Sequence, residues 1–184
     1  MISQKEMDEI IEKKESLPEK ILSVRNRCEA LGVELITYCI ERSLKEQAII
    51  YRSTRGISEI KRKAMDLDAR GFDFLAKVLI DVGPQNGRLG KHITWAGPGE
   101  SYHNYGLAFD SAVMVGGKID WSMRRPDLWK IYGEVAVAEG LEWAGNWPGS
   151  KVEYPHCQLA QWKGSPLKLL SPEQTKKLID DMEV

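Results

Sequence analysis

The sequence predicts one globular domain in which helices are mixed with short strands, and three observations lead there. The chain has 184 residues, enough for one sizeable core and too few for two domains of about 100–200 residues each. Its 26 basic and 27 acidic residues leave a formal charge of −1, with 42% hydrophobic and 29% charged residues. That is the composition of a folded chain rather than a disordered or fibrous one. Finally, apolar spacing changes along the chain between the helical period and two-residue alternation.

The elements follow in order. Residues 3–31 place Met7, Ile10 and Ile11 on one helical face, break at Leu17-Pro18, and resume with Ile21, Leu22, Val24, Cys28 and Leu31 before Gly32. This predicts a helical hairpin or a kinked helix. Residues 33–37 are alternating and β-branched, as in a short strand, and Leu44 to Tyr51 returns to helical spacing. From Arg52 to Gly90 the pattern is mostly helical, punctuated by Gly56, Gly71, Gly83 and Pro84. Lys91 to Glu100, which contains Gly97-Pro98-Gly99, reads as a loop.

Leu107 to Val115 then reads as a strand ended by Gly116-Gly117, with Ala108, Asp110, Ala112 and Met114 on one face. Pro126 to Glu139, with Pro at its start and Gly140 beyond its end, is a helix. Leu141 to Trp143 and Tyr154 to Leu159 are short strands, and Ser171 opens a capped terminal helix. The predicted organisation is an N-terminal helical segment over 1–31, a central domain over 32–170 and a C-terminal helix over 171–184, all in one globular unit.

Composition also excludes function classes. Balanced charge argues against a nucleic-acid partner. No run approaches the roughly 18 apolar residues of a membrane span. Charges within the first ten residues occupy the place of a secretory h-region, so the chain is expected to be made in the cytoplasm without a signal peptide. Cys28, Cys39 and Cys157 cannot all pair in one chain and form no Cys-x-x-Cys, which predicts reduced thiols.

Of the three histidines, His92 has no ligand spacing around it and is set aside. His103 lies in Ser101-Tyr-His103-Asn-Tyr-Gly106-Leu-Ala108-Phe-Asp110, and His156 in Glu153-Tyr-Pro155-His156. Two imidazoles and one carboxylate form a three-ligand zinc set that leaves a position for water. Gly106 lets the backbone turn between His103 and Asp110. Glu153 can share a site with His156 only if the strand bends between them, and Pro155 provides for such a bend. Alternation turns Glu142 away from Leu141 and Trp143, toward solvent, and sends Cys157 into packing, away from the face of His156.

These residues carry a resemblance. Ser101, His103, Gly106, Ala108 and Asp110, followed by Glu153 and His156, resemble the zinc D-alanyl-D-alanine and L-alanyl-D-glutamate peptidases of bacterial cell walls and phage endolysins. The stretch Arg42-Ser-Leu-Lys-Glu46-Gln47 is similar to the family's Arg-Ser-x-x-Glu-Gln segment. The resemblance runs from about Val33 to Leu159. It implies an α+β fold of the Hedgehog and DD-peptidase type, a small antiparallel sheet presenting the metal between flanking helices.

It further implies one Zn²⁺ per chain on His103, Asp110 and His156, with Glu153 as catalytic base and Arg42 stabilising the oxyanion. Substrate would meet Gln47, Tyr105 and Ser101, although Ser101 could equally stabilise the turn before His103. The expected activity is hydrolysis of peptidoglycan stem peptides at the L-alanyl-D-glutamate bond, by a monomeric phage-type endolysin that reaches the wall at host lysis. Two alternatives are a D-alanyl-D-alanine carboxypeptidase or dipeptidase, and a non-catalytic zinc-binding domain.

Overall fold

The computed structural model describes residues 2–83, 93–159 and 164–180. His92, the stretch 84–91 and the last four residues of the predicted terminal helix lie outside them. The described residues form an α+β fold with six α-helices and a small antiparallel sheet. They fall into two compact units, a sheet unit of residues 3–41 and 106–159 and a helical unit of residues 2, 42–83, 93–105 and 164–180. The N-terminal helix shares a unit with the sheet.

In the sheet unit, alternating residues give β1 (Leu35–Cys39) and β2 (Ala108–Val115). The short β3 (Lys118–Ile119) folds back on β2, and β4 (Leu141–Trp143) and β5 (His156–Leu159) complete the sheet in the order β1-β2-β5-β4. Tyr154 and Pro155, expected in the last strand, instead form a turn before it. The register sets Asp110 opposite His156 and Ala108 opposite Gln158, and Gln158 in turn opposite Glu142. Directly paired residues of an antiparallel ladder share a face, so these side chains form two adjacent rows. A register shift between Thr37 and Cys39 brings Cys39 opposite Asp110 from the other side.

Helix α1 (Gln4–Ala30) opens on a capping box between Ser3 and Glu6 and runs unbroken through Pro18. Of the two expected forms, hairpin or kinked helix, the hairpin is thus not formed. Pro18 has no N–H for the carbonyl one turn back, a cost of about 3 kcal/mol in a helix interior. Met7, Ile10, Leu17, Val24 and Cys28 are buried along one face, at about 1.5–3 kcal/mol for each large side chain, so packing outweighs the break. Helix α1 packs against α5 (Pro126–Ala138), where Lys20 Nζ donates to the Glu139 carbonyl at 2.7 Å and Arg27 pairs with the Glu139 carboxylate.

The helical unit holds α2 (Leu44–Arg52), α3 (Ile57–Ala69), α4 (Asp73–Asp81) and α6 (Pro172–Asp180). Helix α2 starts at a Ser43–Glu46 capping box. The N–H of Gln174 reaches Ser171 Oγ and the Ser171 N–H reaches Gln174 Oε1, so the cap expected at Ser171 forms. Ala48, Tyr51, Ile60, Leu67, Phe72, Leu75 and Leu79 are buried here. So is Arg52, whose guanidinium donates to the Leu79 carbonyl at 2.7 Å, satisfying one of the carbonyls that a helix leaves open at its end.

Helix α5 lies close to β4 because residue 133 is glycine. A Cβ there would stand 2.2 Å from the Trp143 indole. Alanine would gain about 1 kcal/mol of helix propensity and lose about 1–3 kcal/mol to overpacking. Gly133→Ala is therefore expected to lower the urea midpoint, and an unchanged or raised midpoint would show that the Trp143 ring can yield.

Candidate metal centre

A carboxylate among small apolar neighbours needs a partner, since burying an isolated charge is costly. Asp110 lies on β2 next to Ala108 and Ala112 and is 4% exposed, and His156, opposite it on β5, is 6% exposed. Their Oδ1 and Nδ1 atoms are 3.1 Å apart. With bonds of about 2.0–2.2 Å to zinc, neighbouring donors of a tetrahedral site stand about 3.4 Å apart. The pair thus fits as two adjacent ligands of such an ion. Cys39 of β1, which sequence reasoning left as a plain thiol, brings its Sγ within 4.8 Å of an Asp110 carboxylate oxygen. Its only signal would have been the β1 register, which a bulge hides.

The bend required between Glu153 and His156 is present. The His156 N–H donates to the Glu153 carbonyl at 3.3 Å, closing a turn over Tyr154-Pro155, and Glu153 N–H donates to Ala144 at 3.2 Å. Three groups pin the turn. The Tyr132 hydroxyl and the Ser111 N–H both donate to the Pro155 carbonyl at 3.0 Å, and Trp143 Nε1 donates to the Tyr154 carbonyl at 2.7 Å. Glu153 itself is exposed.

Cys157 faces away from His156, as alternation predicts, and its Sγ is 3.1 Å from the Tyr132 hydroxyl. That hydroxyl spends its only proton on Pro155, so Cys157 S–H is the donor. Burial pushes the thiol up to about 12, which keeps it protonated. At the start of β2, Gly106 has φ +62°, and a Cβ there would meet the Lys14 side chain at 2.9 Å. Both facts account for glycine at the turn that the motif requires.

Glu142 is not the solvent group that alternation implied. It is half-buried and accepts from Gln158 Nε2 at 2.9 Å and from Trp147 Nε1 at 2.5 Å. Gln158 Oε1 is 3.1 Å from His156 Nε2, and the Trp147 ring packs against the His156 ring with centroids 5.4 Å apart. Alternation assigned Glu142 to the correct face, but that face carries the polar row rather than water.

In the helical unit, His103 lies in a single 3₁₀ turn, Tyr102–Tyr105, and is buried. Its carbonyl accepts the Arg42 N–H at 3.1 Å. Asn104, a residue sequence reasoning passed over, clamps the same two segments: Nδ2 donates to the Arg42 carbonyl at 2.8 Å and Oδ1 accepts the Gly99 N–H at 2.9 Å. The signal was a polar residue inside an otherwise aromatic stretch. Arg42 reaches Gln47 Oε1 at 2.9 Å.

The three residues expected at substrate each bond within the helical unit. Gln47 is 0% exposed, its Nε2 donates to the Ala96 carbonyl at 2.7 Å, and its Oε1 accepts from Arg42. Tyr105 is 2% exposed and donates its hydroxyl to the Gly99 carbonyl at 2.7 Å, which braces its loop. Ser101 Oγ accepts the His103 N–H at 3.4 Å, the turn-stabilising alternative.

Comparison with a family profile matches this region, and two curated relatives match parts of the chain. Residues 95–159 match a family profile described as D-alanyl-D-alanine carboxypeptidase. The peptidoglycan L-alanyl-D-glutamate endopeptidase CwlK of Bacillus subtilis is 41% identical over 80 residues, covering 39% of this chain and 47% of the relative. The L-alanyl-D-glutamate peptidase of Listeria phage A118 is 39% identical over 64 residues, 35% of this chain and 22% of that protein. The chain thus spans less than half the length of either curated relative. Over residues 95–159, which carry His103, Asp110 and His156, the chain is similar to the D-alanyl-D-alanine carboxypeptidase family, and over parts of its length to two L-alanyl-D-glutamate peptidases.

Proposed function

We propose that the chain is a zinc-dependent endopeptidase that hydrolyses the L-alanyl-D-glutamate bond of peptidoglycan stem peptides, in the manner of a phage endolysin. The observation that carries the reading is the buried Asp110–His156 pair with donor atoms 3.1 Å apart, set in the segment that matches the peptidase family profile, in a chain similar over part of its length to two L-alanyl-D-glutamate peptidases. His103, Asp110 and His156 are the assigned ligands, one zinc per chain. The ion supplies a Lewis acid for water and for the scissile carbonyl.

The remaining roles belong to the chain. Glu153 takes the proton of the attacking water and returns it to the leaving amine. It stands three residues before His156 across a pinned turn, and its exposure leaves it open to water. Arg42 carries a permanent charge for the developing oxyanion. The bond to Gln47 limits the rotamers of a long side chain, so less entropy is lost when it engages substrate. The cell wall is the place of action, and a peptide stem the partner.

A second reading is a D-alanyl-D-alanine carboxypeptidase, the description of the matching family profile. Mass spectrometry of products from purified peptidoglycan separates the two. Stem peptides cut between L-alanine and D-glutamate are expected. Release of terminal D-alanine alone would replace the endopeptidase with the carboxypeptidase, and no product from the zinc-loaded chain would leave a binding domain.

Glu153→Ala is expected to lower turnover about 10²–10⁴-fold while zinc content, measured by atomic emission, stays at one per chain. Retained turnover would remove Glu153 from the mechanism. Arg42→Ala is expected to lose about 10²–10³ in kcat with the fold intact by circular dichroism. A change confined to KM would instead make Arg42 a ground-state binding residue. A strong chelator is expected to abolish hydrolysis, and zinc to restore it.

A further inference from the structure

We infer that Glu142 and Gln158 are positioning residues that, with Trp147, fix which nitrogen of His156 faces the metal. The inference rests on the metal reading above and concerns the side of the ring away from Asp110. It follows from the polarity of the hydrogen bonds, taken from the outside inward.

Trp147 Nε1–H can only donate, and it does so to Glu142 Oε1 at 2.5 Å. The other carboxylate oxygen, Oε2, accepts from the Gln158 carboxamide nitrogen at 2.9 Å. A carboxylate can only accept, so the NH₂ end of Gln158 must point at Glu142 and its oxygen at His156. Gln158 Oε1 and His156 Nε2 are 3.1 Å apart, and an oxygen there requires the proton on Nε2. Gln158 is 4% exposed, so water is a poor substitute for either partner.

With the proton on Nε2, Nδ1 of a neutral imidazole bears a lone pair, and that lone pair faces Asp110 Oδ1 at 3.1 Å. Two acceptors at this distance repel unless a cation lies between them, either a proton or a metal ion. The relay therefore prepares Nδ1 as the donor atom and disfavours the tautomer in which Nε2 would ligate. Trp147 adds a steric restraint, since its ring packs against that of His156 with centroids 5.4 Å apart. Outer partners of this kind orient a ligating histidine and fix its tautomer.

The register makes the relay possible. Glu142 and Gln158 are cross-strand partners on β4 and β5, and Gln158 and His156 are two apart on one strand face. Sheet geometry alone delivers a carboxylate to a carboxamide and the carboxamide to an imidazole.

The test measures zinc affinity by competition with a chromogenic chelator in the unmodified chain, Glu142→Gln, Gln158→Leu, Trp147→Phe and the exchanged pair Glu142→Gln with Gln158→Glu. Circular dichroism and thermal midpoint control for folding. Glu142→Gln and Gln158→Leu are expected to weaken zinc binding about 10- to 100-fold, and Trp147→Phe less, since it removes a neutral donor. The exchanged pair keeps every donor and acceptor in order, with the carboxylate beside His156 and the carboxamide between it and Trp147, so it is expected to regain most of the lost affinity. A merely structural role would not give this rescue.

¹⁵N-histidine NMR of the zinc-loaded chain supplies the second readout, with His156 expected to keep its proton on Nε2. Zinc found on Nε2, unchanged affinity in folded Glu142→Gln and Gln158→Leu, or failure of the exchanged pair to recover would each overturn the inference while leaving the metal reading intact. No zinc uptake by the unmodified chain would overturn the metal reading and the inference together.

Discussion

The antiparallel register of β2 against β5 is the constraint on which the sheet unit depends. It places Asp110 opposite His156 and, one row away, Gln158 between Ala108 and Glu142. Because side chains alternate between faces, a slip of one residue would carry every one of these groups to the opposite side and bring Cys157 and Phe109 in their place. Much of the surrounding structure holds that register. The turn before β5 is fixed at two successive carbonyls by Trp143, Tyr132 and the Ser111 N–H. Trp143 in turn lies between two glycines, Gly133 and Gly145, whose lack of a Cβ admits its ring.

The same register concentrates polar groups where an apolar core would be more stable. A buried carboxylate and imidazole lose hydration, and only well-placed partners return it. Here each polar atom of the inner face leads to another, from Asp110 through His156 and Gln158 to Glu142 and the Trp147 indole. Such a row is strong when complete and costly when one member is removed. The residues that make the site chemically useful are thus among those whose loss the sheet tolerates least, which is the usual tension between activity and stability.

How much of this was legible in the sequence depends on the range of the cause. Local causes were readable: the Ser171 cap, Pro at the start of α5, the turn at Gly106 and the alternation that put Asp110 among alanines all depend on neighbours a few residues away. The bend at Pro155 was foreseen as a condition, and the turn from Glu153 to His156 meets it. Long-range causes were not readable. Pro18 argued for a break, yet burial against α5 carries α1 through it. Glu142 sat in an alternating Leu-Glu-Trp, and alternation names a face without naming what covers it. The internal bonds of Gln47 and Tyr105 were not readable either, since the backbone carbonyls they meet are brought to them by packing.

The path of the chain through the sheet bears on the order of folding. Thr37 and Ser111 bond across a separation of 74 residues, and Asp110 and His156 across 46, whereas α2, α3 and α4 follow one another directly, with both α2 and α3 packed on α4. Closing long loops carries an entropic cost before any contact repays it, so non-local strand pairs form slowly and local helices early. During synthesis β2 emerges with one hydrogen-bonding edge uncovered, and it stays so until β5 has been made. A bare strand edge is a template for other chains. Nascent chains arrested within that window would be the sticky species in a population, and the carboxylate row would be complete only on chains read through to residue 158.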